Sequence, residues 1–373
     1  MSVSGIEVFG PAYLDRVLRV DQPLLEPALD QAPLDQTVDA EGWFGDSANL
    51  RLLDGLGRVF AFEPPAGWPG PVGSIRLARP IRDALPDNYQ RSLGGVGWSD
   101  DLGGMGAGYA KALGGTLFSA VGGEPDEMSQ AVMERLVAHG IAHRPVKLPG
   151  HSADWTLLIT SGKFGDKLPI AFRGCHAALG WDDLRGQVGE HSPLRVVASL
   201  PNALSARLLE APGAAIRLFA PAIRNATDRE HPIGRFAAAV DILACNRAEW
   251  ESIEDREQVA WTVSILIVTD GRDGSSVRYT RLCGDPGALR VPAFPRARPP
   301  FDTNRAGEAY ASAFVATLLG AGWTGRLGAI EDDLVRTAAL RASAAAALVL
   351  DIEGFGFASD AQIDEAIRLG VVA

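Results

Sequence analysis

Apolar residues gather in short runs separated by polar, glycine-containing loops. The run Ile6–Gly10 ends in glycine and predicts a buried strand feeding a loop. Similar runs recur at Arg195–Leu200, Ala215–Phe219, Val240–Ala244 and Ser264–Thr269. Helical patterns lie between them, at Ser205–Glu210, Arg229–Ala239 and Arg247–Glu251. This alternation predicts an α/β fold, a mainly parallel sheet with helices on both faces. Met128–Gly140 predicts a helix with apolar positions at Val132, Leu136 and Val137. Ala306–Leu319 and the alanine-rich Asp332–Leu350 predict two long helices, the second able to pack closely on a neighbour. Leu102–Gly108 is a glycine-rich loop before a helix at Tyr109–Leu113 and a strand at Thr116–Val121. Thr156–Thr160 and Pro169–Arg173 predict a hairpin with a longer turn.

Residues 22–100 read differently. Prolines 23, 27, 33, 64, 65, 69, 71, 80 and 86 break any helical period, and short alternating pieces such as Arg58–Phe62 and Gly73–Ala78 favour strands and loops. The stretch reads as an inserted subdomain or a lid.

The chain has 373 residues and is 47% apolar, enough for a large core. Its net charge of −11 argues against a general binder of nucleic acid or anionic membrane. The 42 glycines and 24 prolines suit an ordered fold with many tight loops. Cys175, Cys245 and Cys283 form no CxxC pair, which points to a reducing cytoplasm. The N-terminus does not read as a secretory signal, and Ala338–Leu350 is too short to span a bilayer.

Candidate chemistry sits at loop–helix junctions. Asp302-Thr303-Asn304-Arg305-Ala306-Gly307-Glu308 follows a proline-rich loop and opens a helix, whose first amides attract phosphate. The same residues also make an ordinary capped helix, with Asp302 or Thr303 capping and Glu308 countering the dipole. Asn246 and Glu249 lie three apart at a strand end. They suit a hydrated Mg²⁺ or, equally by spacing, a capping box. Thr269-Asp270-Gly271-Arg272-Asp273-Gly274 bends at another strand end, as a nucleotide loop or a plain turn. Gly103 to Gly108 lacks the GxGxxG spacing, which leaves a nicotinamide enzyme without its fingerprint. His139 and His143 are spaced for one helical face, but Gly140 between them predicts helix termination. Asp100-Asp101 and Asp182-Asp183 read as solvated turn charges.

Taken together and in order, these motifs resemble the ribokinase-like (PfkB) family of sugar and nucleoside kinases, outside roughly residues 22–100. Asp15 resembles the family's substrate-binding Asp, and Gly103-Gly104 the pair that closes on substrate hydroxyls. Asn246-x-x-Glu249 matches the motif that organises Mg²⁺ and phosphate. Thr269-x-Gly271-x-x-Gly274 matches the nucleotide loop, and Ser343 falls in the stretch near the adenine. Asp302 to Glu308 lies where the family has its anion-hole signature. The resemblance implies a three-layer α/β sandwich with a small β lid, built as a single domain over 1–373. It places the lid and insertion at about 12–100 and 150–178. It also implies ATP and Mg²⁺, transfer to a hydroxyl of a sugar, polyol or nucleoside-like substrate, and a homodimer through the lid as the candidate assembly.

Three departures fall on the site itself. Glu308 stands where the catalytic Asp is expected, and its carboxylate is displaced by about one C–C bond, ~1.5 Å. Arg305 replaces the first glycine of the signature; Ala306 and Gly307 keep theirs. Gly108 replaces an Asn that would bind substrate. Two readings follow: a kinase with Glu308 as base, or a kinase scaffold that binds a sugar or nucleotide as a regulator.

Overall fold

The structure is a computed structural model. It describes residues 5–20, 90–123, 127–161, 166–172, 174–298, 304–325 and 330–372, with five short strands between 21 and 89. In chain order the strands are β1 (Glu7–Phe9), β2 (Tyr13–Val20), β3 (Thr37–Asp39), β4 (Trp43–Phe44), β5 (Leu50–Leu53), β6 (Val59–Glu63), β7 (Arg76–Ala78), β8 (Gln90–Gly103), β9 (Thr116–Phe118) and β10 (Ala120–Gly122). They continue as β11 (Val146–Leu148), β12 (Trp155–Ser161), β13 (Asp166–Phe172), β14 (Ser192–Ala198), β15 (Ala214–Ala220), β16 (Ile242–Asn246), β17 (Ile265–Thr269), β18 (Ser275–Thr280) and β19 (Pro286–Val291). Helices that position the site are α1 (Met105–Leu113), α2 (Glu127–Ala138), α3 (Asn202–Glu210), α4 (Arg247–Ser252), α5 (Ala306–Gly320) and α6 (Asp332–Val349).

The main sheet runs β19-β18-β17-β16-β15-β14-β1-β9. From β9 to β17 every pairing is parallel; β18 and β19 add antiparallel strands at one edge. The parallel strands are largely apolar because both faces are covered, and the buried charges on β1 and β14, Glu7 and Arg195, pair with each other at 2.8 Å. On β18, burial alternates, as expected of a sheet margin. One core packs α1, α5 and α6 against β1, β14 and β16, including Tyr109, Phe314 and Ala338. A second, on the opposite face, joins α3 to Phe9, Phe219 and Leu243.

A second sheet, β13-β12-β2-β8-β6-β5-β4, forms the lid. The expected hairpin is β12–β13, and it joins β2 in parallel. Along β2, Leu14, Arg16 and Leu18 are buried, and the two leucines share a core with Val132 and Leu136 of α2. Arg16 survives there because its Nε and an Nη donate to both oxygens of Asp100, at 2.8 and 2.9 Å. Its guanidinium also lies 5.5 Å from the Trp98 ring and 5.9 Å from Trp155.

Four local expectations need correction. Asp100-Asp101 is not a solvated turn but part of β8, because Arg16 compensates the first charge. Arg229–Ala239 forms only short 3₁₀ turns at Ile233–Arg235 and Ala237–Ala239. Pro232 and Gly234 lie inside that span and deny it a regular helix. Val137 is 67% exposed, on the solvent side of α2. Leu102–Gly108 is no loop: β8 runs to Gly103 and α1 starts at Met105, with Gly104 as the turn. Among the described residues no helix is long and apolar enough to cross a membrane.

Candidate active site

Parallel strands of an α/β sheet offer ligands their C-terminal ends. At that end of β1, the chain is held by backbone-on-backbone contact with α1. A Cβ on Gly10 would lie 2.8 Å from the Gly106 Cα, and one on Gly106 would lie 2.4 Å from the Gly10 carbonyl carbon. Gly104 has φ of +100°, and a Cβ there would meet the Pro11 carbonyl oxygen at 2.3 Å. These glycines fix where α1 begins.

Asp15 stands above this junction. A Cβ on Gly103 would lie 2.5 Å from Asp15 Oδ2, so the carboxylate rests directly on the glycine. Asp15 also pairs in register with Asp101 across β2 and β8, which puts both side chains on one face. Like charges directly opposite cost stability; Asp101 is partly compensated by the Leu102 amide at 2.8 Å and by His139 at 3.8 Å. A side chain at position 103 would displace the Asp15 carboxylate.

At the other end of the same glycine segment sits α5. Arg305 is its N-cap, in the left-handed region at φ 66°, ψ 2°. Glu308 is the third helical residue. A Cβ on Gly307 would meet nothing within 4 Å, so the first turn, with its free amides, has open space beside it. Asp302 and Thr303 lie outside the described residues. A Cβ on Gly108 would be 3.3 Å from Glu308 Cγ. Asp15 and Glu308 therefore flank the two ends of Gly103–Gly108. The Arg305 guanidinium donates to the Gly354 carbonyl at 2.6 Å and lies 5.7 Å from the Phe355 ring. Burial and the charges of Glu308 and Glu249 raise the Tyr109 pKa well above its ordinary value, so this phenol stays protonated between the two acids.

The nucleotide-side motifs meet at neighbouring strand ends. Asn246 and Thr269 are partners in the β16–β17 register. Asn246 caps α4: its Oδ1 accepts from the Glu249 amide and Glu249 Oε2 accepts from the Asn246 amide, each at 2.8 Å. The capping box is thus formed. It does not exhaust the acceptor capacity of either side chain, and an amide with a carboxylate is an oxygen donor set suited to hydrated Mg²⁺. Gly271, at φ 52°, opens a 3₁₀ turn, and a Cβ there would meet nothing within 4 Å. Gly274, at φ 87°, abuts the Val291 carbonyl, where a Cβ would lie at 2.1 Å. Ser343, on α6, donates to the Pro292 carbonyl at 3.1 Å. Gly274 and Ser343 thus meet on one segment. Arg247 Nε donates to Asp270 at 2.6 Å and ties the two motifs together.

The sequence matches the pfkB family carbohydrate kinases over residues 90–361. The chain belongs to this family. Solved structures agree on the fold. A ribokinase from Giardia lamblia matches with a TM-score of 0.67 at 15% identity, over 98% of this chain and 100% of that one. A nucleoside kinase from Methanocaldococcus jannaschii matches at 0.63 and 14%, over 99% of each chain. A ribokinase from Arabidopsis thaliana, complexed with ribose and ATP, matches at 0.60 and 14%, over 98% of each. A search of curated protein sequences finds no match. The pfkB match begins at residue 90, so Asp15 is placed in this kinase fold by the structure rather than by the family match.

Several residues near this kinase site escaped the sequence reading. Asp101 looked like half of a turn pair, and only the β2–β8 register reveals it beside Asp15. The segment Gly354–Phe357 carried no motif, yet it packs on Asp101, Gly108 and Arg305. His139, weighed as a metal ligand, instead faces Asp101 at 3.8 Å and the Phe355 ring at 5.0 Å. Burial lowers its pKa, against an opposing pull from Asp101. Asp154, Cys175 and His176 form a buried cluster at the neck of the lid hairpin. Its hydrogen bonds already occupy both imidazole nitrogens, so it reads as a structural clamp and not as a metal site.

Proposed function

We propose that this pfkB-family chain transfers the γ-phosphoryl group of ATP to a hydroxyl of a sugar, polyol or nucleoside-like acceptor, with Glu308 as the general base. One observation carries the reading: Asp15 and Glu308 flank the Gly103–Gly108 segment, and the open first turn of α5 lies beside them. The Arabidopsis relative complexed with ribose and ATP supports the donor and the acceptor class.

In this reading Asp15 accepts hydrogen bonds from acceptor hydroxyls and fixes their orientation. Glu308 takes the proton from the attacking hydroxyl as its oxygen bonds to the γ-phosphorus. The bond between that phosphorus and the β,γ-bridging oxygen breaks, and ADP leaves. First-turn amides at Ala306 and Gly307 stabilise the charge on the transferred group. Thr269, Gly271 and Gly274 would receive the nucleotide, with Ser343 beside them and Asp302 and Thr303 leading into the anion hole. Asn246 and Glu249 would hold Mg²⁺ through water, and the ion would offset phosphate charge. The chain acts as a single domain whose β lid carries Asp15 and the 155–172 hairpin.

Calorimetry with ATP–Mg²⁺, followed by a transfer screen over pentoses, hexoses, polyols and nucleosides, tests the reading. Micromolar ATP binding together with transfer to one acceptor class is expected. Tight ATP binding without transfer to any of them would replace it with a regulator that binds nucleotide.

A further inference from the structure

We propose that Gly354–Phe357 is a wall of the active site, and that Arg305 and Phe357 are positioning residues that hold Glu308 in place. This rests on the reading of Glu308 as the base.

The segment runs alongside 101–108. At one end, a Cβ on Gly354 would lie 3.3 Å from Asp101 Oδ2, on the acidic face of the lid. At the other, the Phe357 ring reaches within 3.6 Å of a Cβ on Gly108, the position that also meets Glu308. Between them Phe355 packs on His139 and meets Phe357 edge-on, 6.0 Å away at 87°. One short segment therefore spans from the root of the lid to the base. Its ends are fixed, since Ile352 continues the last turn of α6 and Ser359 caps the next helix.

Arg305 latches this segment to α5. A cation at a helix N-terminus is electrostatically unfavourable. This one leaves the helix end to bond the Gly354 carbonyl and lie over Phe355. The backbone of Arg305 opens the α5 first turn while its side chain holds the wall. A shift in 354–357 thus reaches the helix that carries Glu308.

Gly108 and Glu308 also belong together. A Cβ at 108 would crowd Glu308 Cγ at 3.3 Å, tighter than ordinary contact. Glu308 keeps this place because position 108 has no side chain, and Phe357 closes on the same spot. Gly108 and Phe357 then limit where the Glu308 carboxylate can go.

Hydrogen exchange and kinetics on the full chain test this with Arg305→Ala, Phe357→Ala and Phe357→Leu. Both alanine variants are expected to speed exchange at 352–358 and also at 306–309. With the acceptor found by the screen, kcat should fall by about 10- to 100-fold with the ATP KM within about twofold. Phe357→Leu, which keeps the apolar contact, should recover most of kcat. Gly108→Ala, which crowds Glu308 at Cγ, should lower kcat. Faster exchange confined to 352–358, no recovery with leucine, or an unchanged kcat in Gly108→Ala would each overturn the proposal. If Glu308→Gln kept full turnover, the catalytic reading would fall. The exchange coupling between 352–358 and 306–309 would still decide whether the wall holds α5.

Discussion

Glu308→Gln should lower phosphoryl transfer by about 10²- to 10⁴-fold while leaving ATP binding near wild type. The amide keeps the size and the packing against Gly108 but cannot accept the acceptor proton. The loss should therefore fall on kcat rather than on the KM of either substrate. Glu308→Asp makes the sharper comparison. It restores the residue type expected from the family signature, yet it withdraws the carboxylate by ~1.5 Å from a position that Gly108 and Phe357 are shaped around. Its kcat should fall by about tenfold or more instead of rising. Steady-state rates with the identified acceptor, and calorimetry for ATP, read both. Full turnover in Glu308→Gln would show that proton acceptance lies elsewhere.

The parallel half of the fold was legible because its strands are apolar on both faces. Ile265–Thr269 reads as a strand from its residues alone, since no alternation is needed in a doubly covered sheet. The ordered motifs were legible for a related reason: each sits where a strand ends and a helix begins, and those junctions leave marks such as Asn246-x-x-Glu249. The Gly103–Gly108 segment was misread because glycines mark loops by default. Here they allow backbone contact between Gly10 and Gly106, which only the tertiary fold reveals. Arg229–Ala239 failed for the opposite reason, its apolar spacing outweighing Pro232 and Gly234 in the reading. Asp101 and Gly354–Phe357 left no local signal. Their place depends on strand register and on a contact with Arg305 across 49 residues. Arg305 itself was found by motif, but its direction was not, because a sequence cannot say which way a guanidinium turns.

Asp154→Asn should destabilise the protein by about 1–3 kcal/mol, the cost of leaving buried donors without their charged acceptor. Asp154 is 2% exposed and holds both ends of the lid hairpin neck. One oxygen accepts from the Gly174 amide at 2.9 Å. The other accepts from the His176 amide at 2.9 Å, from His176 Nδ1 at 2.6 Å and from the Cys175 thiol at 3.6 Å. His176 Nε2 in turn accepts from the Ala120 amide at 3.2 Å, which ties the neck to the core. An asparagine must point its NH₂ group at one of these sets of donors. The thiol takes no part in chemistry here, since burial and Asp154 push its pKa to about 12. Against the cost of burial, His176 and the backbone amides hold the Asp154 pKa far below the ordinary carboxylate range. A depressed carboxylate stabilises the fold above its unfolded pKa, about 3.9, and that contribution is lost as pH falls toward the folded value. Wild-type stability should therefore drop below about pH 4, and Asp154→Asn should be less stable at pH 7 with a shallower acid limb. Because the neck carries β12 and β13, the variant should also raise the acceptor KM more than it lowers kcat. Denaturant melts between pH 3 and 8, paired with kinetics, measure both. A variant with wild-type stability and an unchanged acid limb would show that the neck is held by its backbone alone.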